Sequence, residues 1–148
     1  MTHRKTKGEE KVKQKWKATE DEQQAAIMEW CQLMEGRWPE LRLIYHVPNE
    51  GKRTASTAGK MQRMGMKSGV PDMMLPVARG NFHGLYLELK TETGRESKAQ
   101  RQWREALEEQ GYMAALCFGL DAALDCLKVY MTLGPYQGGN APKSNKRG

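Results

Sequence analysis

The amino-acid sequence predicts a single α/β domain in which helices and strands alternate along the chain. Apolar residues recur at helical spacing after Thr19, and residues 82–90 alternate between apolar and polar side chains. The chain has 148 residues, which is enough for one hydrophobic core and too short for two domains of usual size. The expected order is helix, strand, short helix, two strands, helix, strand, helix.

Three elements are predicted in the first half of the chain. Thr19 precedes three acidic residues and can cap a helix, and the apolar spacing extends that helix to about Glu35. Residues 41–47 have the composition of a strand, which Pro48 ends. Residues 49–69 form a basic stretch whose middle is expected to be helical.

Five further elements are predicted in the second half. The short apolar run of residues 70–78 and the alternating run of residues 82–90 flank a turn, so together they indicate a hairpin. In the second strand, Leu85, Leu87 and Leu89 share one side, and Tyr86, Glu88 and Lys90 share the other. Ser97 can cap a helix over residues 98–110, followed by a strand over residues 112–118 and a helix over residues 120–131.

The charge of the chain favours a polyanionic partner such as nucleic acid. Lys and Arg outnumber Asp and Glu by 24 to 18, which gives a formal net charge of +6 and a pI of about 9.3. Much of the excess lies near the two ends, where few apolar residues could hold the backbone. We therefore expect a basic flexible tail over residues 1–18, one domain over residues 19–133, and a second flexible tail over residues 134–148.

The cysteines and the hydropathy pattern indicate a cytoplasmic protein. Cys31, Cys117 and Cys126 are isolated in apolar surroundings and odd in number, which fits reduced thiols better than disulfides or a zinc site. No apolar run approaches the roughly 18 residues of a membrane span, and the charged start lacks the hydrophobic segment of a secretory signal.

Asp72, Glu88 and Lys90 are the candidate catalytic residues. Asp72 begins one hairpin strand, and Glu88 and Lys90 lie two residues apart on its partner, so all three can share a face. Two carboxylates can bind Mg²⁺ or Mn²⁺, and a lysine can orient the attacking water or neutralise developing charge. These are the parts needed for phosphodiester hydrolysis. The alternative is an ordinary salt-bridged sheet face, with Asp72 forming a turn after Pro71.

Three segments together resemble a known family. SGVPDMML, GLYLELKTETGRESKAQ and the earlier HVPNEGKR are similar, in order and spacing, to the VRR-NUC family of the PD-(D/E)xK nuclease superfamily. The resemblance covers residues 20–131 and implies a restriction-endonuclease-like core, with a central mixed β-sheet flanked by helices. It implies that Asp72 and Glu88 bind the metal, that the main-chain carbonyl of Leu89 is a further ligand, and that Lys90 assists the nucleophilic water.

The family also carries an acidic residue on its first helix and a glutamine after the ExK strand. Glu20 and Glu22 compete for the acid, and Glu20 is preferred because it lies in line with the apolar side of the helix. The alternative is that both acids only stabilise the helix dipole. For the glutamine, Gln100 fits best and Gln102 is the weaker choice.

Candidate DNA-binding residues surround these motifs. The resemblance places Asn49 near the active site, although its Pro-Asn-Glu-Gly context is also an excellent turn. The basic stretch could contact phosphates, or it could be a solvated helix face; its candidates are Lys52, Arg53, Lys60, Arg63 and Lys67. Tryptophans could stack on single-stranded bases, but burial is favoured for Trp30 and Trp103.

The leading functional hypothesis is a metal-dependent DNA endonuclease. The resemblance implies a preference for branched or structured DNA, because stand-alone members resemble junction-resolving enzymes and often occur in phages and prophages, which act in the host cytoplasm. It also makes a homodimer plausible, since two strands need cutting and one chain supplies one active site. The alternatives are a non-catalytic nucleic-acid-binding module with the same fold and a small structural α/β protein with a basic surface.

Overall fold

A four-stranded mixed sheet lies at the centre of the fold. The computed structural model describes residues 18–48 and 54–138, and its strands are β1 (Tyr45–His46), β2 (Met73–Leu75), β3 (Leu85–Lys90) and β4 (Met113–Phe118). They are ordered β1-β2-β3-β4, with β1–β2 and β2–β3 antiparallel and β3–β4 parallel. The predicted central mixed sheet flanked by helices is confirmed.

Four α-helices accompany the sheet in the described part of the chain. They are α1 (Glu20–Met34), α2 (Ala55–Arg63), α3 (Lys98–Glu109) and α4 (Leu120–Thr132). Hydroxyl side chains begin three of them, because each accepts a hydrogen bond from a backbone N–H that has no partner within the first turn. These caps are Thr19, Thr54 and Ser97.

The strand predicted over residues 41–47 is largely wrong. Pro39–Leu43 is a 3₁₀ helix, and only Tyr45–His46 joins the sheet. Pro39 stands in the first turn of this helix, where its fixed φ is suited and its missing N–H leaves no hydrogen bond unmade. The apolar Leu41 is fully buried from the helical turn, so its burial does not require a strand.

The two sides of β3 face different layers. Leu85, Leu87 and Leu89 are buried in one core with Ile27 of α1 and Tyr130 of α4. Glu88 alternates with these leucines and therefore faces the other side of the sheet, where Gln100 of α3 contacts it. The sheet thus separates an apolar layer of α1 and α4 from α3.

The segment after α4 returns to the hairpin turn. The amide of Gly80 donates to the carbonyl of Gly134, and the amide of Gln137 donates to the carbonyl of Gly80. The Tyr136 hydroxyl lies 3.0 Å from Nδ1 of His83. These contacts lie within the region that the sequence assigns to a C-terminal tail, so at least its first residues pack on the domain.

All three cysteines are free thiols, and burial raises the pKa of Cys31 to about 11. Within residues 18–48 and 54–138, no helix has the length and apolar character that crossing a membrane requires.

Gly69 lets the loop before Asp72 pack directly on the start of α3. It has a φ of +86°, and a Cβ at this position would lie 2.6 Å from the backbone carbonyl carbon of Ala99. Backbone at that distance cannot yield as a flexible side chain does. A side chain at residue 69 would therefore push the loop and the helix apart.

We expect Gly69→Ala to lower the melting temperature more than Gly65→Ala. Gly65 also has a positive φ, +104°, but a Cβ there meets no atom within 4 Å, so this control carries the backbone strain alone. The clash should lower the free energy of unfolding of Gly69→Ala by at least ~1 kcal/mol more than that of Gly65→Ala, or about 4 °C in melting temperature for a domain of this size. Thermal unfolding of both variants measures the difference, and equal melting temperatures would contradict the close packing.

Candidate active site

The register of the hairpin places Asp72 beside Glu88. Met73 pairs with Leu87, so the next residue along each antiparallel strand brings Asp72 opposite Glu88. Residues directly opposite one another point to the same face of a sheet. Both carboxylates are largely buried, with 9% of Asp72 and 6% of Glu88 exposed. Two acidic groups in such a position need a compensating partner.

Backbone contacts fix Asp72 from both neighbouring strands. Its Oδ2 accepts a hydrogen bond of 2.8 Å from the amide of Leu89 on β3. Its main-chain carbonyl accepts from the amide of Val47 at 2.7 Å and lies 3.0 Å from Nδ1 of His46. Because a carbonyl only accepts, Nδ1 of His46 carries the proton in this contact. His46 therefore supports the Asp72 backbone.

Glu88 has one satisfied and one unsatisfied oxygen. Its Oε1 accepts from Nε2 of Gln100 at 2.9 Å and lies 3.7 Å from Nζ of Lys90. Its Oε2 is buried and has no hydrogen-bond partner among the described residues. A buried carboxylate oxygen without a donor is costly, so this atom marks the place where a cation would be stabilised.

Burial is the main cause that raises the pKa of Glu88 to about 8. The Asp72 carboxylate raises it further, both as a like charge and as an acceptor for the protonated form. The ammonium of Lys90 acts in the opposite direction and does not outweigh these effects. Without a metal ion, the positive charge near the two carboxyl groups is therefore too small to keep Glu88 ionised at neutral pH.

Gln100 contributes to both α3 and the site. Its Oε1 accepts from the amide of Ser97 at 2.8 Å, and the Ser97 hydroxyl accepts from the amide of Gln100, which completes a capping box. Its Nε2 is then free to reach Glu88. Gln102, the alternative glutamine, lies instead in a pocket next to Trp103. Of these two glutamines, Gln100 is the one that contacts Glu88.

The two acids at the start of α1 differ in their contacts. Glu22 forms a capping box with Thr19, since its Oε2 accepts from the Thr19 amide at 2.8 Å. Glu20 takes no part in this box, and its charge is close enough to Glu88 to raise the pKa of that carboxyl. Of the two acids, Glu20 is therefore the one whose charge acts on Glu88, and Glu22 belongs to the helix cap.

An ion pair that the sequence did not reveal secures α3. Arg104 donates to both oxygens of Glu96, at 2.7 and 3.2 Å, and also to Glu108 at 3.3 Å. The Arg104 guanidinium beside Glu96 lowers the pKa of that carboxyl. The pair joins the loop after β3 to the second turn of α3 and so supports Gln100. The Arg104–Glu96 pair is strong because two hydrogen bonds join the guanidinium to the carboxylate. The spacing of the two residues in the sequence does not predict that they meet.

The donors at the site suit a hard divalent ion. The described residues contain no group of three or more His, Cys, Asp or Glu side chains that could hold a metal ion. Mg²⁺ does not require such a group, because it is commonly held by one or two carboxylates, with water and substrate phosphate completing the shell. Asp72 and the unpartnered oxygen of Glu88 fit this pattern, whereas zinc would need a fuller set of protein ligands.

The predicted DNA-binding residues are only partly described. Lys60 and Arg63 lie exposed in the last turn of α2, and Lys67 is exposed in the loop that leads to Asp72. Asn49, Lys52 and Arg53 lie outside the described residues. The three described cations share a segment that leads directly into the candidate site, which is compatible with phosphate contacts.

Comparison with known proteins agrees with this geometry. Residues 11–120 match the family described as the VRR-NUC domain. A solved structure titled "VRR_NUC domain protein" superposes with a TM-score of 0.71 at 32% sequence identity, covering 84% of this chain and 98% of that one. No functionally curated protein matches the chain. The similarity extends over most of both chains, so it concerns the whole domain.

We expect Glu88→Gln to stabilise the metal-free protein at pH 8.5. The pKa of Glu88 lies above its unfolded value of 4.5, so this carboxyl favours folding most below pH 4.5 and loses that contribution as pH rises through about 8. A neutral amide avoids the loss and can still accept from Gln100. The free energy of unfolding of the variant should exceed that of the wild type by more than ~1 kcal/mol, or about 4 °C in melting temperature.

Thermal unfolding with chelator, at pH 5 and pH 8.5, measures this effect. The melting temperatures of the wild type and Glu88→Gln should differ least at pH 5. Adding Mg²⁺ or Mn²⁺ at pH 8.5 should stabilise the wild type and leave Glu88→Gln nearly unchanged. If Glu88→Gln is less stable than the wild type at pH 8.5 with chelator, the ionised Glu88 carboxylate does not destabilise the metal-free protein, and the prediction is wrong.

Proposed function

The chain belongs to the VRR-NUC family and has its nuclease-like fold, and from this premise we propose that it is a metal-dependent DNA endonuclease. One observation carries the proposal. The unpartnered oxygen of Glu88 lies in a buried site beside the Asp72 carboxylate, with Lys90 on the same face of β3. This is an arrangement that binds a divalent cation and presents an ammonium group next to it.

Each residue of the site has a separate role in hydrolysis. Asp72, Glu88 and the main-chain carbonyl of Leu89 would hold Mg²⁺ or Mn²⁺, which when bound polarises the phosphodiester and lowers the pKa of water. Lys90 donates hydrogen bonds that orient the water and offset the negative charge that develops on the phosphate. The water oxygen bonds to phosphorus as one ester P–O bond breaks; the water loses one proton to solvent and the departing oxygen gains one, which leaves a phosphate monoester and a hydroxyl group. Gln100 keeps Glu88 oriented throughout.

The basic residues would hold the DNA backbone. Lys60, Arg63 and Lys67 are exposed, and they precede Asp72 by five to twelve residues. Asn49, Lys52 and Arg53 are proposed to contribute from the preceding segment. Contacts of this kind position the duplex without reading its sequence, and they weaken steeply as salt concentration rises.

We further propose that the substrate is branched or otherwise structured DNA and that the enzyme works as a homodimer. Family membership supports both proposals. Each chain has one candidate site, so paired cuts in two strands require two chains related by symmetry. Light scattering of the protein alone and with a four-way junction measures the stoichiometry, and a monomer in both states would contradict the dimer.

Asp72→Asn and Lys90→Met should each reduce cleavage at least about 100-fold while leaving DNA binding largely intact. The assay compares linear, single-stranded, flapped and four-way-junction DNA, with Mg²⁺, Mn²⁺ or chelator. Asp125→Asn is the matched control, because Asp125 is an exposed acid on α4. It should cleave at the wild-type rate.

Two other outcomes would identify the alternative functions. A wild-type protein that binds DNA but cuts none of these substrates with either metal would be the non-catalytic module. Absence of DNA binding, or binding that does not respond to salt, would instead indicate a structural α/β protein.

Glu20→Ala and Glu22→Ala should affect different properties of the protein, the first its cleavage rate and the second its stability. We expect Glu20→Ala to lower metal-dependent cleavage about tenfold or more with little change in stability, because its charge lies near the site. Glu22→Ala removes the capping box and should cost ~1 kcal/mol, or about 4 °C, while sparing the rate measured below the melting transition. Cleavage rates and thermal unfolding of both variants test this assignment, and the reverse pattern would assign the catalytic acid to Glu22.

A further inference from the structure

A pocket lies next to the candidate active site, between α3 and the loop before Asp72. Its volume is about 290 Å³, and it is lined by Ser68, Ala99, Gln102, Trp103 and Ala106. Ala99 lies three and four positions before Gln102 and Trp103, and Ala106 lies four and three positions after them, so these residues share one side of α3. Ala99 and Ala106 are small, which leaves space beside the Trp103 ring.

Trp103 differs from the other described tryptophans in its ring contacts. The rings of Trp30 and Trp38 contact each other, with centroids 6.4 Å apart, and each also has a cation nearby. Within residues 18–48 and 54–138, no aromatic ring or cation packs on Trp103 in this way, although its side chain is half-buried. Its ring is therefore held by the fold and open on the pocket side.

The lining chemistry matches that of a nucleobase. A base presents a flat aromatic surface with hydrogen-bond donors and acceptors at its edge, and it stacks readily on tryptophan. The pocket offers the Trp103 ring, the Ser68 hydroxyl and the Gln102 amide, which together can donate and accept. None of the lining side chains is charged, so the pocket does not suit a phosphate group.

The position of the pocket ties it to the site. Gln100, which holds Glu88, lies between Ala99 and Gln102 on α3. Ser68 lies next to Gly69, whose backbone packs on Ala99, and the same loop continues to Asp72. The pocket and the carboxylates are thus formed by the same two elements, α3 and the loop before Asp72. This common origin is the reason to look in the pocket for a base next to the bound phosphate.

We propose that this pocket binds an unpaired nucleobase of the substrate strand, next to the phosphate that is cleaved. The proposal rests on the proposed nuclease function and adds to it a physical basis for choosing structured DNA. A base inside a duplex is stacked and paired, so it can enter only after being extruded, whereas a base at a flap or junction is already free. Stacking on Trp103 tolerates any base, so the selection is for an unpaired nucleotide rather than for a sequence.

The test replaces single bases by an abasic analogue. Flapped DNA carrying tetrahydrofuran at each position around the cleavage site is compared with intact DNA. For the wild type, we expect one position at which the loss of the base lowers kcat/KM about tenfold. Trp103→Leu and Ala106→Leu should remove this dependence, the first by deleting the ring and the second by filling the pocket.

Glu105→Leu is the matched control for Ala106→Leu. Residue 105 is exposed on α3 and does not line the pocket, so the same side chain there should leave the abasic effect at wild-type size. Glu105→Leu should cleave both substrates at the wild-type rate, whereas on intact DNA Trp103→Leu and Ala106→Leu should lose about tenfold in kcat/KM. A wild type that is insensitive to base removal at every position would overturn the proposal. So would an Ala106→Leu protein that keeps the full effect, with or without a changed melting temperature.

A second readout separates the pocket from the catalytic proposal. The wild-type protein in chelator is titrated with flapped DNA that carries 2-aminopurine at the sensitive position, or at each flap position in turn if nothing is cut. Stacking on Trp103 should quench the fluorescence, and Ala106→Leu should abolish the quenching. Quenching without cleavage under any metal would refute the nuclease and keep the pocket. Cleavage without quenching or base dependence would refute the pocket and keep the nuclease.

Discussion

Two buried carboxylates held together, Asp72 and Glu88, set the arrangement of the surrounding chain. Like charges in a low-dielectric setting repel strongly, so neighbouring groups must supply donors. The backbone amide of Leu89 donates to Asp72, the side-chain amide of Gln100 donates to Glu88, and the ammonium of Lys90 lies beside Glu88. These contacts still leave one oxygen of Glu88 without a partner. The protein thus fixes two carboxyl groups side by side without supplying enough positive charge to keep Glu88 ionised at neutral pH, which is the condition that makes a cation bind.

Gln100 links this electrostatic requirement to the backbone. The same side chain closes the capping box of α3 and donates to Glu88, so the helix start and the carboxylate are held by one residue. The ion pair of Arg104 with Glu96 holds the preceding loop on the same helix. Moving α3 would therefore disturb its cap, its ion pair and the carboxylate together, and the tight approach of Gly69 resists that movement.

The parts of the fold that depend on local pattern could be predicted from sequence. Alternation along β3 correctly predicted which residues share each face of the strand. The hydroxyl caps Thr19 and Ser97 correctly predicted where α1 and α3 begin. The strand over residues 41–47 failed because Pro39 began a helical turn that buries Leu41 equally well. A capping box at Thr19 could have assigned Glu22 to the cap from spacing alone. The Arg104 pair depends on where a loop returns, which no local pattern specifies.

Trp103 shows why side-chain accessibility is the hardest property to predict. Its helical position indicated burial, and it is half-buried, but the small neighbours Ala99 and Ala106 and the distant Ser68 leave a pocket beside its ring. The same helix carries Gln100, which contacts Glu88, so the pocket and the orientation of Glu88 both depend on α3. Substrate choice and metal placement would then depend on one rigid element. An enzyme built in this way can favour unpaired nucleotides without reading their sequence, because the ring accepts every base and the carboxylates act only on the phosphate beside it.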